Sequence, residues 1–230
     1  MPQDLALIIR NGDTSTLERL ISQDVALVHS RPDNQRTLLH IATDWPGHFR
    51  NVRLTIATLV THGADVNAKF AGGAHTETPL HWAASSDDVE ALDALLEHGA
   101  DIESTGAVIA GGTPLADAVA FGTWRAARRL IAGGAQSTLW QSAALGLLGR
   151  VKEQLASQPT PAEPEITNAF WNACHGGQLE TARYLLGRGA DLHAVGHDQL
   201  TPWAAALRNG NPELVEWLRA QGAAPAPVRA

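Results

Sequence analysis

The residues best suited to chemistry are an amide and a histidine in the second half of the chain. Asn172 and His175 are three residues apart, so on a helix they share one face. Asn172 could orient a bound group while His175 exchanges a proton near neutral pH. Cys174 is adjacent to His175, and adjacent helical residues point in different directions, so the two do not form a nucleophile–base pair. Cys174 fits a buried core thiol better.

Catalytic sequence motifs are scarce in this chain. The sequence has no glycine-rich phosphate loop, no H-E-x-x-H pattern, no paired cysteines and no serine nucleophile motif. The 10 histidines lack the spacing of metal ligands. We therefore expect no metal and no cofactor, and the sequence favours a protein without catalysis while leaving an enzyme open.

Composition narrows the class of protein. The chain has 230 residues, a net charge of -7 and a single cysteine, which excludes an internal disulfide framework. The nearest basic cluster is Arg125, Arg128 and Arg129, which we interpret as a solvated helix face rather than a phosphate-binding surface. There is no apolar run of membrane-spanning length and no signal-peptide pattern at the N-terminus. The sequence thus predicts a cytoplasmic protein that binds neither nucleic acid nor membrane.

Residues 77–102 show the local organisation most clearly. Thr78 is suited to begin a helix, and Pro79 follows it where a missing N–H group has no cost. Asp87 tolerates the left-handed backbone of a tight turn, and Leu92, Leu95 and Leu96 then recur at helical spacing. Gly99 is placed to end this second helix. The pattern predicts helix, turn, helix and loop.

The segment Thr78-Pro79-Leu80-His81-Trp82-Ala83 resembles the T-P-L-H-x-A signature of ankyrin repeats. The interval from Thr78 to Gly99 recurs from Thr113 to Gly134, from Asn168 to Gly189 and from Thr201 to Gly222. The resemblance implies an all-α fold, an ankyrin-repeat solenoid of about seven helix-turn-helix repeats with short β-turn fingers.

The same register predicts a single solenoid over residues 1–223. Its seven repeats would cover residues 3–30, 37–66, 78–102, 113–136, 137–157, 168–192 and 201–223. The second repeat carries an insertion within residues 44–53, and no room remains for a finger after the fourth repeat. Residues 158–164 contain three prolines and read as a stiff linker. Residues 224–230 have little to bury, so we expect a disordered tail.

Ankyrin repeats present a concave face formed by the first helix of each repeat together with the fingers. Transferring the family register to this face gives the candidate partner- or ligand-binding residues Trp45, Trp82, Ser85, Asp117, Phe121, Gln141, Asn172, His175 and Arg208. Trp45 and Trp82 are expected to be exposed on this face, where a tryptophan is often an interface anchor. His40 and His81 occupy the motif histidine, whose usual role is structural, and Trp124, Trp140, Trp171, Trp203 and Trp217 are expected to serve packing.

Two functions from different classes remain open. The leading hypothesis is a monomeric protein-interaction module, without catalysis, that holds an unidentified protein partner in its concave groove. The alternative is a pocket in the concave face for a small polar molecule, built on Trp82, Asp117, Gln141, Asn172 and His175, with Asp117 and His175 as the catalytic candidates.

Overall fold

The computed structural model describes residues 4–33 and 35–223, and all regular secondary structure in them is helical. The chain divides into two compact units, Met1–Gln136 and Ser137–Ala230. The N-terminal unit contains α1 (Leu5–Arg10), α2 (Thr14–Gln23), α3 (Leu38–Thr43), α4 (Val52–Thr61), α5 (Pro79–Ser85), α6 (Val89–Glu97), α7 (Pro114–Phe121) and α8 (Trp124–Ala132). The C-terminal unit contains α9 (Leu139–Ala144), α10 (Leu148–Leu155), α11 (Glu163–His175), α12 (Leu179–Leu186), α13 (Pro202–Arg208) and α14 (Pro212–Ala220). Short 3₁₀ turns lie at Val25–His29 and His197–Gln199.

The helix boundaries follow from local chemistry. Pro79 and Pro114 occupy the first turns of α5 and α7, where an N–H group would have no helical partner. Asp87 has φ 53° in the turn between α5 and α6, and Gly99 has φ 86° after α6, as the sequence predicts. Asp88 then caps α6 by accepting the N–H of Ala91 at 3.0 Å.

Within the N-terminal unit, equivalent helices of successive repeats pack side by side. The first helices α1, α3, α5 and α7 form one row, and the second helices α2, α4, α6 and α8 form the other. Leucine and isoleucine side chains such as Ile56, Leu80, Leu92 and Leu95 are almost completely buried between these rows. The core is therefore shared between neighbouring repeats.

Two histidines join one repeat to the next. The Nδ1 atom of His81 accepts the N–H of Thr78 at 3.1 Å, so the proton is on Nε2, which donates to Gly112 O at 3.3 Å. The Nε2 atom of His40 likewise lies 3.1 Å from Glu77 O. Burial lowers the pKa of both His40 and His81 to about 4, so both rings are neutral at pH 7. The structural role predicted for these residues is confirmed.

The C-terminal unit makes the equivalent contact with tryptophan. Trp171, at the position of the motif histidine, is buried and donates its indole N–H to Leu200 O at 2.8 Å. The backbone of Gly196 passes so close that a Cβ atom there would lie 2.5 Å from Trp171 Nε1. The glycine thus makes room for the larger ring.

Two helices of the C-terminal unit start differently from the prediction. Helix α9 begins after Thr138, one residue later than predicted, because the Gln141 side chain accepts the Thr138 N–H at 2.8 Å. Helix α11 begins at Glu163, inside the predicted linker and before the predicted start of the sixth repeat at residue 168. Pro164 lies in the first turn, and Glu165 accepts the Ala162 N–H at 2.9 Å, so this proline-rich sequence starts a helix.

Irregular segments project between the repeats as fingers. In the first finger, Phe70 N donates to Glu77 O at 2.8 Å, and in the second, Ala107 N donates to Gly112 O at 3.0 Å. Only residues 133–138 separate α8 from α9, so the finger predicted to be missing after the fourth repeat is indeed missing. The predicted disordered tail, residues 224–230, lies outside the described residues. No helix in the described ranges is long and apolar enough to cross a bilayer.

Candidate functional site

The most exposed large apolar side chain reported for the N-terminal unit is Trp45, at 79%. It lies in the inserted segment between α3 and α4, residues 44–51, which we name the Trp45 loop. An exposed tryptophan leaves a large apolar surface in contact with water instead of burying it in the core. Whether this surface is available to a partner depends on how the loop is held.

The first side of the Trp45 loop is fixed to the first two repeats. Asp44 Oδ2 accepts hydrogen bonds from Arg10 Nη2 at 2.8 Å and from Arg36 Nη1 at 2.6 Å. At the other end of the loop, Asn51 Nδ2 donates to Gly12 O at 2.9 Å. Two charge-assisted bonds therefore hold the residue next to Trp45.

The second side of the loop is fixed to the third repeat. The His48 N–H donates to Asp88 Oδ2 at 2.5 Å, and His48 Nε2 lies 3.1 Å from Ser86 O. Gly47 has φ 73°, and a Cβ atom on it would lie 2.9 Å from the Ser86 Cβ atom. The loop is thus bound between the turns on either side of it, and Trp45 projects from a fixed base.

A second group of interest lies at the base of the first two fingers. It consists of Phe70, His75, Glu77, Trp82 and Asp117, which we name the acid–aromatic cluster. The Phe70 ring centroid lies 5.4 Å from that of Trp82 and 5.2 Å from that of His75, with which it stacks. The Trp82 indole N–H donates to Glu77 Oε2 at 3.0 Å, and His75 Nδ1 lies 2.8 Å from the same oxygen.

The two carboxyl groups of the cluster are both buried, Glu77 at 5% exposure and Asp117 at 0%. Burial, a hydrogen bond with the Glu77 carboxyl and repulsion from its charge together raise the pKa of Asp117 to about 8. The Ile109 N–H lies 3.5 Å from Asp117 Oδ1 and partly opposes this shift. Asp117 Oδ2 has no hydrogen-bond partner among the described residues.

The cluster combines two carboxyl groups with aromatic rings. No group of three or more histidine, cysteine or acidic side chains in the described part of the chain could hold a metal ion. Beside the cluster, a depression of about 280 Å³ between the fingers is lined by His75, Thr76, Gly106 and Val108 among others. An apolar wall with convergent polar groups is typical of small binding sites.

Comparison with known proteins identifies the family of these helix pairs. One family model described as "Ankyrin repeats (3 copies)" matches residues 56–139, and another described as "Ankyrin repeats (many copies)" matches residues 170–219. The chain belongs to the ankyrin-repeat family. Ankyrin repeats are generally protein-interaction modules.

Several curated proteins share part of this ankyrin sequence. The palmitoyltransferase AKR1 of Lachancea kluyveri is 39% identical over 103 residues, which are 44% of this chain and 13% of that protein. The ankyrin repeat and KH domain-containing protein mask-1 of Caenorhabditis elegans is 30% identical over 176 residues, 74% of this chain and 6% of that protein. Protein PhlB of Serratia liquefaciens is 30% identical over 170 residues, 74% of this chain and 65% of that protein.

The chain therefore spans only a small part of the first two of these relatives. Among solved structures, the human ASB11 ankyrin repeat domain matches with a TM-score of 0.57 and 21% identity, covering 98% of this chain and 100% of that domain. At this identity the likeness concerns the ankyrin fold.

Four polar side chains belong to the concave face in the ankyrin register, and their role as binding residues stays a prediction. The four are nearly inaccessible: Asp117 at 0%, Gln141 and Asn172 at 3% and His175 at 4%. Gln141 caps α9, and Asn172 Nδ2 donates to Asn168 O at 2.9 Å one turn earlier on α11. Both amides are thus occupied by local backbone groups.

His175 is bound on two sides within the C-terminal unit. Its ring stacks on Trp171 with centroids 5.5 Å apart, and Asn209 Nδ2 lies 3.1 Å from Nδ1 and donates to His175 O at 2.8 Å. Since the amide donates to Nδ1, the proton of a neutral ring is on Nε2. Asp117 belongs to the N-terminal unit and His175 to the C-terminal unit. Their predicted catalytic roles stay predictions.

The remaining candidates differ in exposure. Trp82 is half-buried, and its indole N–H donates to Glu77, so its role as an interface anchor stays a prediction. Phe121 is 53% exposed, and Ser85 is half-buried with its hydroxyl donating to His81 O at 2.9 Å. Arg208 is exposed and forms an ion pair with Asp198 at 2.6 Å. Of these, Phe121 is most available to a partner.

The sequence reasoning did not assign three residues of the acid–aromatic cluster to a site. Phe70 and His75 lie in the first finger, and Glu77 immediately precedes Thr78. Glu77 meets Asp117 across 40 positions of sequence, so no local spacing could have indicated this contact.

Proposed function

We propose that the protein is a protein-interaction module and that its N-terminal unit binds a partner through Trp45. The cytoplasmic location and the monomeric state expected from the sequence are part of this proposal. The supporting observation is the exposed indole on a loop held between Gly12, Asp88 and Ser86.

Physical reasons favour such an anchor. Tryptophan is enriched among the few interface residues that dominate binding energy. A side chain whose loop is already ordered loses little conformational freedom on binding, so more of the contact energy appears as affinity. Phe121 is also exposed, at 53%, and is a second apolar side chain that a partner could contact.

The test replaces Trp45 with alanine and measures partner recovery from an extract of the source cells by quantitative mass spectrometry. Truncating a central aromatic anchor costs about 2 kcal/mol or more, so recovery of specific partners should fall strongly. The melting temperature should not change, because Trp45 contributes little to the core.

Leu54→Ala is the matched control, since Leu54 is also exposed, at 56%, and lies on α4 of the same repeat. Its partner recovery should equal that of the parent protein. Equal recovery with Trp45→Ala and Leu54→Ala would refute the role of the Trp45 loop. Trp82→Ala is a poorer test, because Trp82 also supports Glu77 and Phe70.

A further inference from the structure

The acid–aromatic cluster holds two buried carboxyl groups, those of Glu77 and Asp117. His40 and His81, whose rings lie nearby, are neutral at pH 7 because burial lowers their pKa to about 4. The Lys69 ammonium group on the first finger is engaged by Ser104 Oγ at 2.8 Å and by a carbonyl of the second finger. The basic group that faces Glu77 is the His75 imidazole, at 2.8 Å.

Asp117 is the second acid, and its side chain shares a hydrogen bond with the Glu77 carboxyl. Its side chain is completely buried, and Oδ2 has no hydrogen-bond partner among the described residues. A buried acceptor without a donor destabilises the folded protein, because it has lost its hydrogen bonds to water. Strongly perturbed acids of this kind concentrate at functional sites, where a ligand supplies the missing donor.

The aromatic side chains indicate which donor fits. Trp82 and Phe70 are half-buried and in contact, and the Trp82 indole N–H donates to Glu77, so aromatic rings and a buried carboxyl lie together. A guanidinium group is planar, stacks on aromatic rings and donates parallel hydrogen bonds to carboxylates. An ammonium group has the charge without the planar fork.

We infer that the acid–aromatic cluster binds the guanidinium group of an arginine side chain carried by the protein partner. This inference rests on the proposed function and names one chemical feature of the partner. The net charge of -7 favours association with a basic partner over long distances.

Access to the acids requires the fingers to separate. The first and second fingers are joined by the Thr76 N–H, which donates to Gly106 O at 3.1 Å, and by the Lys69 contacts. The depression lined by His75, Thr76 and Gly106 lies at this junction. Irregular segments with few buried apolar contacts open at low energetic cost, so the arginine enters between the fingers.

The experiment titrates the whole chain with N-acetyl-arginine amide and, separately, with an arginine-containing peptide, using calorimetry at pH 6.5 and pH 8.5. N-acetyl-citrulline amide, which has nearly the same shape without the charge, is the neutral comparison. We expect the arginine compounds to bind, citrulline to fail, and Asp117→Asn and Glu77→Gln each to weaken arginine binding by about tenfold or more. Binding should release a proton and tighten at the higher pH.

Asp93→Asn is the matched control, because Asp93 is a partly exposed carboxylate that already has a cationic partner, Arg129. It should leave arginine binding unchanged. Equal binding of citrulline, no binding of arginine at millimolar concentrations, or indifference to Asp117→Asn would overturn the inference. If N-acetyl-lysine amide bound as tightly as N-acetyl-arginine amide, the assignment to a guanidinium group would be wrong. If N-acetyl-arginine amide bound but the arginine-containing peptide did not, the assignment of the arginine to a protein partner would be wrong.

Failure of the arginine site can be told apart from failure of the proposed function. If arginine compounds do not bind but partner recovery still depends on Trp45, only the present inference is lost. If partner recovery is independent of Trp45, the proposed function is lost, whether or not the arginine compounds bind.

Discussion

Asp117 shows what a single buried acid does to an ankyrin repeat. The ionised form is disfavoured by burial and by the Glu77 carboxyl, so the folded protein keeps the proton to about pH 8, whereas an ordinary aspartate loses it near pH 3.8. Between these values the folded state binds more protons than the unfolded state, so stability falls as the pH rises. His40 and His81 act in the opposite sense, since their pKa is lowered from 6.5 to about 4 and stability rises over that range.

These opposed contributions predict the pH profile of Asp117→Asn. Above pH 6.5 the two histidines no longer contribute a slope, and the parent protein should lose stability up to about pH 8 because of Asp117. The asparagine variant has no proton to lose there, so its melting temperature should stay level. Thermal melts at pH 6.5, 7.5 and 8.5 measure the difference, and parallel profiles for the two proteins would contradict the assignment.

At the scale of the element, the contact between repeats matters more than the residue type that makes it. His40, His81 and Trp171 each send a ring nitrogen to a carbonyl of the following repeat. The tryptophan needs more space than the histidine, and Gly196 provides it. The backbone that follows must therefore leave enough space for the ring that contacts it.

Gly196→Ala tests this match. The added methyl group would lie 2.5 Å from Trp171 Nε1, so the ring must shift and its bond to Leu200 O should weaken. Overpacking of this kind costs about 1–3 kcal/mol, measurable by urea unfolding. Gly149→Ala in α10 is the control, because its Cβ atom meets no neighbour and alanine favours helix, so stability should rise slightly. Similar values for the two variants would exclude the steric explanation.

Local rules also explain which elements the sequence could predict. Prolines in first turns, Asp87 and Gly99 in left-handed conformations, and the short connection before α9 depend on neighbouring residues alone, and these predictions are confirmed. The early start of α11 was missed because Pro164 fits a linker as well as a first helical turn. Glu77 and Asp117 are forty positions apart and meet only through packing of successive repeats, so periodicity could not reveal the acid pair.

At the scale of the whole molecule, each helix pair completes its core against its neighbours. Leu95 on α6 is completely buried, and α6 packs against both α4 and α8. A cavity at this position therefore affects three repeats at once, and loss of one repeat exposes apolar surface on the next.

Leu95→Ala should destabilise the protein by about 2–5 kcal/mol, from the lost apolar contacts and the cavity that remains. Amide hydrogen exchange should show weaker protection in α4 and α8 as well as in α6. Leu7→Ala is the matched control, because Leu7 is 56% exposed and its truncation leaves no cavity. A loss of protection limited to α6 would contradict the shared core.

The Trp45 loop separates the part of the chain that recognises a partner from the part that folds. Its base is held through Gly12 O, Ser86 O and the N–H of His48, and none of these contacts involves the indole itself. The side chain at position 45 can therefore be substituted without loss of the hydrogen bonds that hold the base of the loop. A lineage that keeps this frame is free to exchange one partner for another by substitutions at the tip, and the same frame offers a place to graft short recognition peptides.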